Sequence, residues 1–497
     1  MRMGTFSELK TKDRDGVAEP KGTELFKGMA WMAAGIICVS FILTDVSTMW
    51  KAIFVVPGII FLGIGCKCII KYIKTYMAFK KYVPHWDSDR DMYDRFAIEF
   101  NEWQQEGKAP TCCDGDTLYY LKLQRARLKK KGLKMTNRVM PAKGTSYGTA
   151  NFSRKSSWYT TDMEYEEINR SIRFENGQGT VYERKVDQVM YEIIVHTPNE
   201  DQLSNIMMTC PNCGAVSRVS ELEEGCKYCE TKFRITDLFP RVVNVFFLKN
   251  LSTGTSKNIV RRTILFSMLT IYAAGITLLI ISGSGFLPAK LFDCFFAAIL
   301  AGGPFGLILA ELRLVVSLFD RDGMKHFSYS KCIKSKRKIT DIMKKFDSDF
   351  EFDKFESQIV ALIRMAVFAE QPEGLACYRG GNRDERLDDI LEMTYTKALC
   401  LRHVRTEGKI LHLTIRTWWV NYSEIRGKVQ KTGDCIDVEI SRNTAAMEPP
   451  GFSITSVSCP NCGGSFDAVR QKFCPYCDGE YHMEDKGWVI DDMCLIR

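Results

Sequence analysis

Cys210-Pro211-Asn212-Cys213-Gly214 is followed by Cys226-Lys227-Tyr228-Cys229. Near the far end of the chain, Cys459-Pro460-Asn461-Cys462-Gly463 is followed by Cys474-Pro475-Tyr476-Cys477. A CxxC turn directs two thiolates to one point, and two such turns on a short hairpin complete a tetrahedron around Zn2+ with Zn–S near ~2.3 Å. Gly214 and Gly463 stand where the turn needs a permissive backbone. Each set of four thiolates closes the coordination sphere, so two structural zinc ions are expected and a catalytic zinc with an open position is not. Iron in a rubredoxin-like site uses similar spacing and stays open as an alternative. A thioredoxin-like CxxC needs a βαβ setting, and a RING interleaves eight ligands within one module, whereas these sets stand far apart. With 19 cysteines in 497 residues, the chain falls below the density of a secreted disulfide scaffold. Cys38, Cys66, Cys377, Cys400 and Cys435 read as small apolar fillers.

Other landmarks repeat in the same order. Trp86-Asp87-Ser88-Asp89 returns as Phe346-Asp347-Ser348-Asp349, and Tyr93-Asp94-Arg95-Phe96 returns as Phe352-Asp353-Lys354-Phe355. Between these landmarks and the cysteines, the second copy is about ten residues shorter. Each copy is preceded by a pair of apolar segments: Gly28–Thr44 with Ala52–Cys66, and Thr263–Gly283 with Leu291–Ala310. A bilayer core of ~30 Å needs about 20 mostly apolar residues per helix. Buried helices of a soluble domain would usually keep a polar stripe. The short linkers Asp45–Lys51 and Ser284–Lys290 make each pair a hairpin. Pro57 and Pro304 lie beside glycine in the second helix of each.

Lys67, Lys71, Lys74, Lys80 and Lys81 follow the first hairpin. Lys257, Arg261 and Arg262 precede the second, and Arg313, Arg321, Lys325, Lys331 and Lys334 follow it. The positive-inside rule then puts the large polar segments in the cytoplasm, a reducing compartment that disfavours disulfides. The first 27 residues are polar and charged, so a cleavable signal peptide is not expected. Packing of the membrane helices is expected at Ala30-x3-Ala34 and Gly302-x3-Gly306, where small residues permit close approach.

The polar segments read as α+β. Apolar spacing predicts helices near Asp89–Gln105, Thr117–Lys131 and Asp347–Glu370, and a further one over Asp384–Leu401. Strand-like stretches lie at Trp158–Phe174, Thr180–Thr197, Ile410–Tyr422 and Lys428–Ser441. Helices followed by a run of strands suggest a curved antiparallel sheet against helices.

Little in the sequence points to catalysis. Gly144-Thr145-Ser146-Tyr147-Gly148 matches GxSxG, but a nucleophile elbow follows an apolar strand and enters a helix, and this one sits in a glycine- and serine-rich loop. The six histidines are scattered, none beside an acid at a familiar spacing, and Asp388-Asp389 reads as a solvated helix face. A pocket enzyme remains the alternative class, because a cone-shaped α+β pocket hosts chemistry without a motif. Thr117 to Thr161 holds eleven Lys or Arg and no acid, including Lys122, Arg125, Arg127, Lys129, Lys130, Lys131 and Lys134. This run is a solvated face or a dock for anionic lipid headgroups, with an acidic partner or RNA as further options. The second copy lacks it. The stretch between the first two CxxC pairs, AVSRVSELEEG, carries three acids against one Arg, which argues against nucleic acid.

Phe346–Phe355 opening a long helix, the WWVNY strand at Trp418–Tyr422, and CPNCGG…CPYC with Trp488-Val489 behind it resemble a family of bacterial proteins. In that family, a domain like subunit 44 of the mitochondrial inner-membrane translocase runs into a C-terminal zinc ribbon. The resemblance covers Asp347 to Arg497 and, more weakly, Trp86 to Phe233. It implies an α+β fold like nuclear transport factor 2 with a hydrophobic pocket, membrane association, and a role in protein translocation or assembly rather than catalysis. The duplication and the integral hairpins depart from the mitochondrial relative. The expected plan is a cytoplasmic tail (1–27), hairpin (28–73), α+β domain (86–209) and ribbon (210–235), then hairpin (263–318), α+β domain (346–458) and ribbon (459–497). The chain is thus expected to be a four-helix protein of the cytoplasmic membrane, serving as an adaptor for protein or lipid partners.

Overall fold

The computed structural model describes residues 9–12, 17, 20–40, 48–144, 147–151, 160–196, 207–210, 213–222, 225–230, 232–234, 241–249, 254–282, 294–295, 298–303, 305–306, 308–310, 329–347, 350–381, 383–445, 453–459, 461–467, 471–481 and 487–496. Strand β1 (Leu9–Lys12) precedes helices α1 (Gly22–Ser40) and α2 (Thr48–Lys81). Then come α3 (Met92–Glu106), α4 (Gly115–Lys130), β2 (Lys134–Pro141), β3 (Tyr147–Asn151), β4 (Thr160–Asn176) and β5 (Gly179–His196). Short strands β6 (Met207–Thr209), β7 (Val216–Arg218) and β8 (Lys232–Arg234) surround the first cysteine set, followed by β9 (Arg241–Lys249) and α5 (Gly254–Ile281). The second half holds α6 (Tyr329–Met343), α7 (Phe352–Phe368), β10 (Ile390–Glu407), β11 (Ile410–Ile425) and β12 (Lys428–Asn443). It ends with β13 (Ser453–Ser458), β14 (Ser465–Phe466) and β15 (Val489–Ile496).

Local chemistry accounts for the boundaries. Asp91 caps α3 by accepting from the Asp94 N–H, and Gly107 closes it at φ 80°, a left-handed stop that glycine takes without strain. Asp114 caps α4 through the Thr117 N–H. Arg426 and Gly427, at φ 53° and 71°, make the tight β11–β12 turn, in which both central residues need positive φ.

The duplication is visible in the topology. In the first copy, β2 and β3 pair along the two halves of β4, which pairs with β5, which pairs with β9. The second copy runs β10–β11–β12–β15 in the same antiparallel order. In both, the cysteine module is an insertion between the third and fourth strands. The segment assigned above to the second ribbon therefore ends in β15, a strand of the sheet. A parallel bridge completes each copy, from Cys113 to Val242 and from Tyr378 to Ile490. The ends Ser348-Asp349 of one repeated landmark and Pro211-Asn212 of another lie outside the described residues.

The predicted helix over Asp384–Leu401 is corrected. Only Glu385–Asp389 turns, as a 3-10 helix, and β10 begins at Ile390. The first seven residues of β10 are all buried, and Leu391–Thr396 alternates apolar and polar as a strand does, but Leu387, Leu391, Tyr395 and Ala398 also fall at helical spacing and so imitate a helix. The copies also differ here in length, because α4 fills this interval in the first copy and a single turn fills it in the second.

The two copies share one core. Trp103, Tyr120, Met163, Ile193 and Phe246 of the first pack with Phe355, Ile359, Tyr395, Trp419 and Ile490 of the second. Helix α7 lies at this joint with 15 of its 17 residues buried. It has no side-chain N-cap, so burial rather than capping holds it.

Among the described residues, two helical stretches, Phe54–Lys81 and Arg261–Ile281, and not the four expected, are long and apolar enough to cross a membrane. Only 11% and 6% of their apolar windows are buried, and Val56, Ile59, Ile60, Phe266, Leu269 and Leu278 stand exposed. The first expected segment is helical to Ser40, with 41–47 outside the described residues. The fourth is described only in pieces between 294 and 310, and Pro304, the linker 284–290, and Arg313, Arg321 and Lys325 lie outside the described residues. Helix α1 packs on α2 through glycines. A Cβ at Gly35 would come 2.7 Å from Leu62 and 2.9 Å from the Gly58 carbonyl, and one at Gly65 would come 2.7 Å from Met32. Ala30 is exposed, so the contact runs along Gly28 and Gly35 and not along the expected alanine pair. Gly302 and Gly306 do make the expected close approach, to Met268 and to Ile264 and Ser267 of α5. Gly35→Leu is expected to wedge α1 from α2, read as a lower melting midpoint of the detergent-solubilised protein, with Ala30→Leu near wild type.

Candidate metal centres

In the first module, the Cys210 and Cys229 sulfurs are 3.7 Å apart, as are those of Cys213 and Cys226. In the second, Cys459 and Cys477 are 3.5 Å apart and Cys462 and Cys474 3.6 Å. Within each set all four sulfurs lie within 4.8 Å of one another. Sulfurs ~2.3 Å from a common centre stand about 3.8 Å apart at tetrahedral angles, whereas a disulfide would bring them to about 2.05 Å. Both sets therefore fit a closed four-thiolate site able to hold one metal ion.

The backbone builds these sites alike. Gly214 donates to the Cys210 carbonyl and Gly463 to the Cys459 carbonyl, each at 2.8 Å. The second turns repeat this with Glu230 to Cys226 at 2.8 Å and Asp478 to Cys474 at 2.9 Å. All four donors sit at positive φ: 75°, 73°, 57° and 55°. At Cys459, burial raises the thiol pKa, but the N–H groups of Cys462 and Asn461 and the neighbouring thiols bring it down to about 7. The neighbouring thiols shift the other way, with Cys462 raised and Cys477 pushed up to about 12, so one thiolate of the set forms first and holds the protons of these two near it. The modules also join each other, because β8 of the first pairs antiparallel with β13, which leads into the second. Tyr228 and Tyr476 occupy the same place in the two second turns and are 74% and 69% exposed.

No protein family, curated protein or solved structure matches this chain. The two cysteine sets, the shared core and the apolar helices are therefore the ground for any functional reading.

The seven basic residues of the expected patch divide. Arg127 is buried in the joint between copies. It donates to the carbonyls of Leu387 at 2.9 Å, Ala369 at 3.3 Å and Val367, and pairs with Asp388 at 3.2 Å. With Arg383, which donates to Ala366, Val367 and Ala369, it covers the carbonyl end of α7, where cations are favoured. Burial, then repulsion from Arg383, lowers the Arg127 pKa to about 10. Asp388, read above as a solvated face, is thus an ion-pair partner of both arginines. Lys130 pairs with Glu370 and Lys131 with Glu424, and Arg125 lies over Trp103 at 5.0 Å. Lys122, Lys129 and Lys134 are exposed. Arg125, Lys129 and Lys134 edge a cleft of about 250 Å3 between α3, α4 and β2, floored by Trp103, Leu121, Leu128 and Met135. Of the GxSxG match, Thr145 and Ser146 lie outside the described residues, and the chain continues into strand β3.

Two groupings escaped sequence reading because only strand pairing creates them. His412 meets Glu439 and Asp491 across neighbouring strands. Glu192 on β5 is fully buried, with neither carboxylate oxygen hydrogen-bonded. Its register partner is Glu164. Burial first, then repulsion from Glu164, Asp91, Asp94 and Glu166, pushes its pKa well above the usual value. Folded Glu192 keeps a proton that the unfolded chain releases above about 4.3. Its contribution to stability is thus lost as pH rises from there toward the raised folded value. Glu192→Gln is expected to remove this loss at neutral pH and to flatten stability against pH, measured by thermal melts across the acid-to-neutral range.

Proposed function

We propose that the chain is a multi-pass protein of the cytoplasmic membrane whose two zinc-ribbon domains form one adaptor for a protein partner on the cytoplasmic side. The observation carrying this reading is the joined pair of cysteine modules, each presenting an exposed tyrosine at the same position. Tyrosine is enriched where binding energy concentrates at interfaces, and closed four-thiolate sites stiffen a surface without offering a reactive position. Zn2+ is the ion assigned to each site. Phe54–Lys81 and Arg261–Ile281 support the membrane anchor, with α1 and the 291–310 segment completing two hairpins. The lysines at the end of α2 support the cytoplasmic side. Helices leading into an antiparallel meander support domains like those of translocase subunit 44 and nuclear transport factor 2, and with them a role in protein translocation or membrane-protein assembly.

The experiment is photo-crosslinking in intact membranes from residues 228 and 476. Discrete protein adducts are expected from each position used singly, and those from residue 228 should be lost when Tyr476→Ala is added, and those from 476 when Tyr228→Ala is added, with two zinc ions retained. Adducts matching those from an exposed control position on β4 would overturn the adaptor reading. Digestion of the cysteine modules by protease added outside intact cells would overturn the sidedness. The cleft edged by Arg125, Lys129 and Lys134 favours a second reading, contact with anionic lipid headgroups. Equal binding to neutral and anionic vesicles would remove it.

A further inference from the structure

His412 on β11, Glu439 on β12 and Asp491 on β15 come from three adjacent strands of the second sheet and include none of the cysteines. The position of Asp491 is made by a bulge. Glu439 faces Asp492 and Ile440 faces Ile490, which leaves Asp491 as the extra residue, and bulges re-aim side chains in this way. The first copy has a bulge at the same place, directly after the residue of the parallel bridge, but the extra residue there is Val243. The bulge therefore belongs to the duplicated fold, and the acid on it belongs to the second copy alone.

His412 Nδ1 is 3.2 Å from Asp491 Oδ2 and 3.6 Å from Glu439 Oε1. The Nδ1–Asp491 contact is at hydrogen-bond distance, and a proton on Nδ1 or a metal ion between the groups satisfies it, because a bare lone pair facing two carboxylate oxygens would be repulsive. The surroundings resemble an outer ligand shell, in which partners orient the ligating groups. Arg379 holds Asp491 through Oδ1 at 3.3 Å, leaving Oδ2 toward the histidine. Arg405 holds both other acids, Glu439 at 2.6 Å through the same Oε1 that faces the histidine and Glu407 at 2.7 Å, and the Glu407 carboxylate faces Nε2 at 3.9 Å. Three carboxylates against two arginines leave one negative charge uncompensated. The three side chains are 12%, 27% and 20% exposed, half-buried but open enough for an ion to enter and keep water. One imidazole with two carboxylates suits first-row divalent metals.

We propose that His412 Nδ1, Glu439 and Asp491 bind one divalent metal ion of the Zn2+ or Mn2+ class, separate from the two thiolate sites. The test is Mn2+ titration of the full chain in detergent, followed by electron paramagnetic resonance, with zinc counted in the same samples. Mn2+ is the probe because soft thiolates discriminate against it. The expected result is one bound Mn2+ per chain with both zinc ions retained. Asp491→Asn and His412→Ala should each weaken that binding by about tenfold or more, and Glu407→Gln by about tenfold through lost orientation. Unchanged zinc content in each variant reports intact folding, and Asp491→Asn, nearly isosteric, serves if His412→Ala fails that check. Absence of bound Mn2+ in the wild type, as when a proton alone fills the site, would overturn the proposal. So would Mn2+ bound equally by the wild type and the Asp491→Asn variant.

Discussion

Cys474→Ser is expected to lower the thiolate-bound zinc from two ions per chain to one and to unfold the second cysteine module while leaving both sheets intact. The Cys474 sulfur is buried, 3.6 Å from that of Cys462, and serine offers no thiolate in its place. The module has little else to hold it. Its strand β14 is two residues long, and Phe466 against Tyr481 is its aromatic contact. A unit this small cannot bury enough apolar surface to fold alone, and structural zinc in small modules supplies roughly 10–16 kcal/mol of apparent binding energy that is also folding energy. The consequence reaches the first module. With β13 released, β8 loses its partner at Lys232–Arg234, so those amides should exchange faster although the first four thiolates are untouched. The sheet should hold, because β15 is clamped by its pairing with β12 and by burial of Ile490, Met493 and Leu495. Metal analysis with hydrogen exchange tests this. Retention of both thiolate-bound ions, or unchanged exchange at 232–234, would defeat it.

The cysteine sites were legible because spacing alone sets their geometry. CxxC places two sulfurs together whatever surrounds them, and the observed sulfur separations follow. The long hairpins β4–β5 and β11–β12 were legible for a similar reason, since β-forming runs on either side of a glycine-bearing turn specify their own partner. The joint between copies was not. Arg127 reads in sequence as one of a run of cations, and nothing local says that its guanidinium ends among carbonyls of residues 367–390. The same holds for β10, where Leu391–Thr396 alternates as a strand but Leu387, Leu391, Tyr395 and Ala398 also fit a helical period, and only the sheet decides between the two. His412 shows the limit from the other side: its acids lie 27 and 79 residues away, and only the register of three strands and one bulge brings them together. Local rules read local structure, and contacts between copies need the tertiary arrangement first.

Arg170→Ala is expected to destabilise the whole body by about 3–5 kcal/mol, the usual loss when one partner of a buried ion pair is removed. Arg170 on β4 is 1% exposed and lies 3.0 Å from Glu392 of β10, itself 11% exposed. Its Nε donates to Asn137 at 2.8 Å and its Nη1 to Thr394 at 3.3 Å, and its guanidinium stacks 3.7 Å over the Phe247 ring. One side chain thus ties the first sheet to the edge strand of the second. Burial pulls its pKa below the ordinary value and Glu392 pulls it back; arginine keeps its charge in either case, so the carboxylate compensates a buried cation. Alanine leaves Glu392 in a low-dielectric joint with Gln124 as its neutral partner. Against a typical total of about 5–15 kcal/mol, that loss is decisive. The Arg170→Met/Glu392→Met double variant should be closer to wild type than Arg170→Ala, because an apolar pair leaves no charge unpaired. The rings of Tyr191, Phe246, Tyr395 and Trp419 run in contact across the joint, so the two copies should lose structure in one transition. Denaturant melts followed separately by first-copy and second-copy probes decide the matter: two separated midpoints in the wild type would mean that the copies fold independently and that Arg170 is a local contact only.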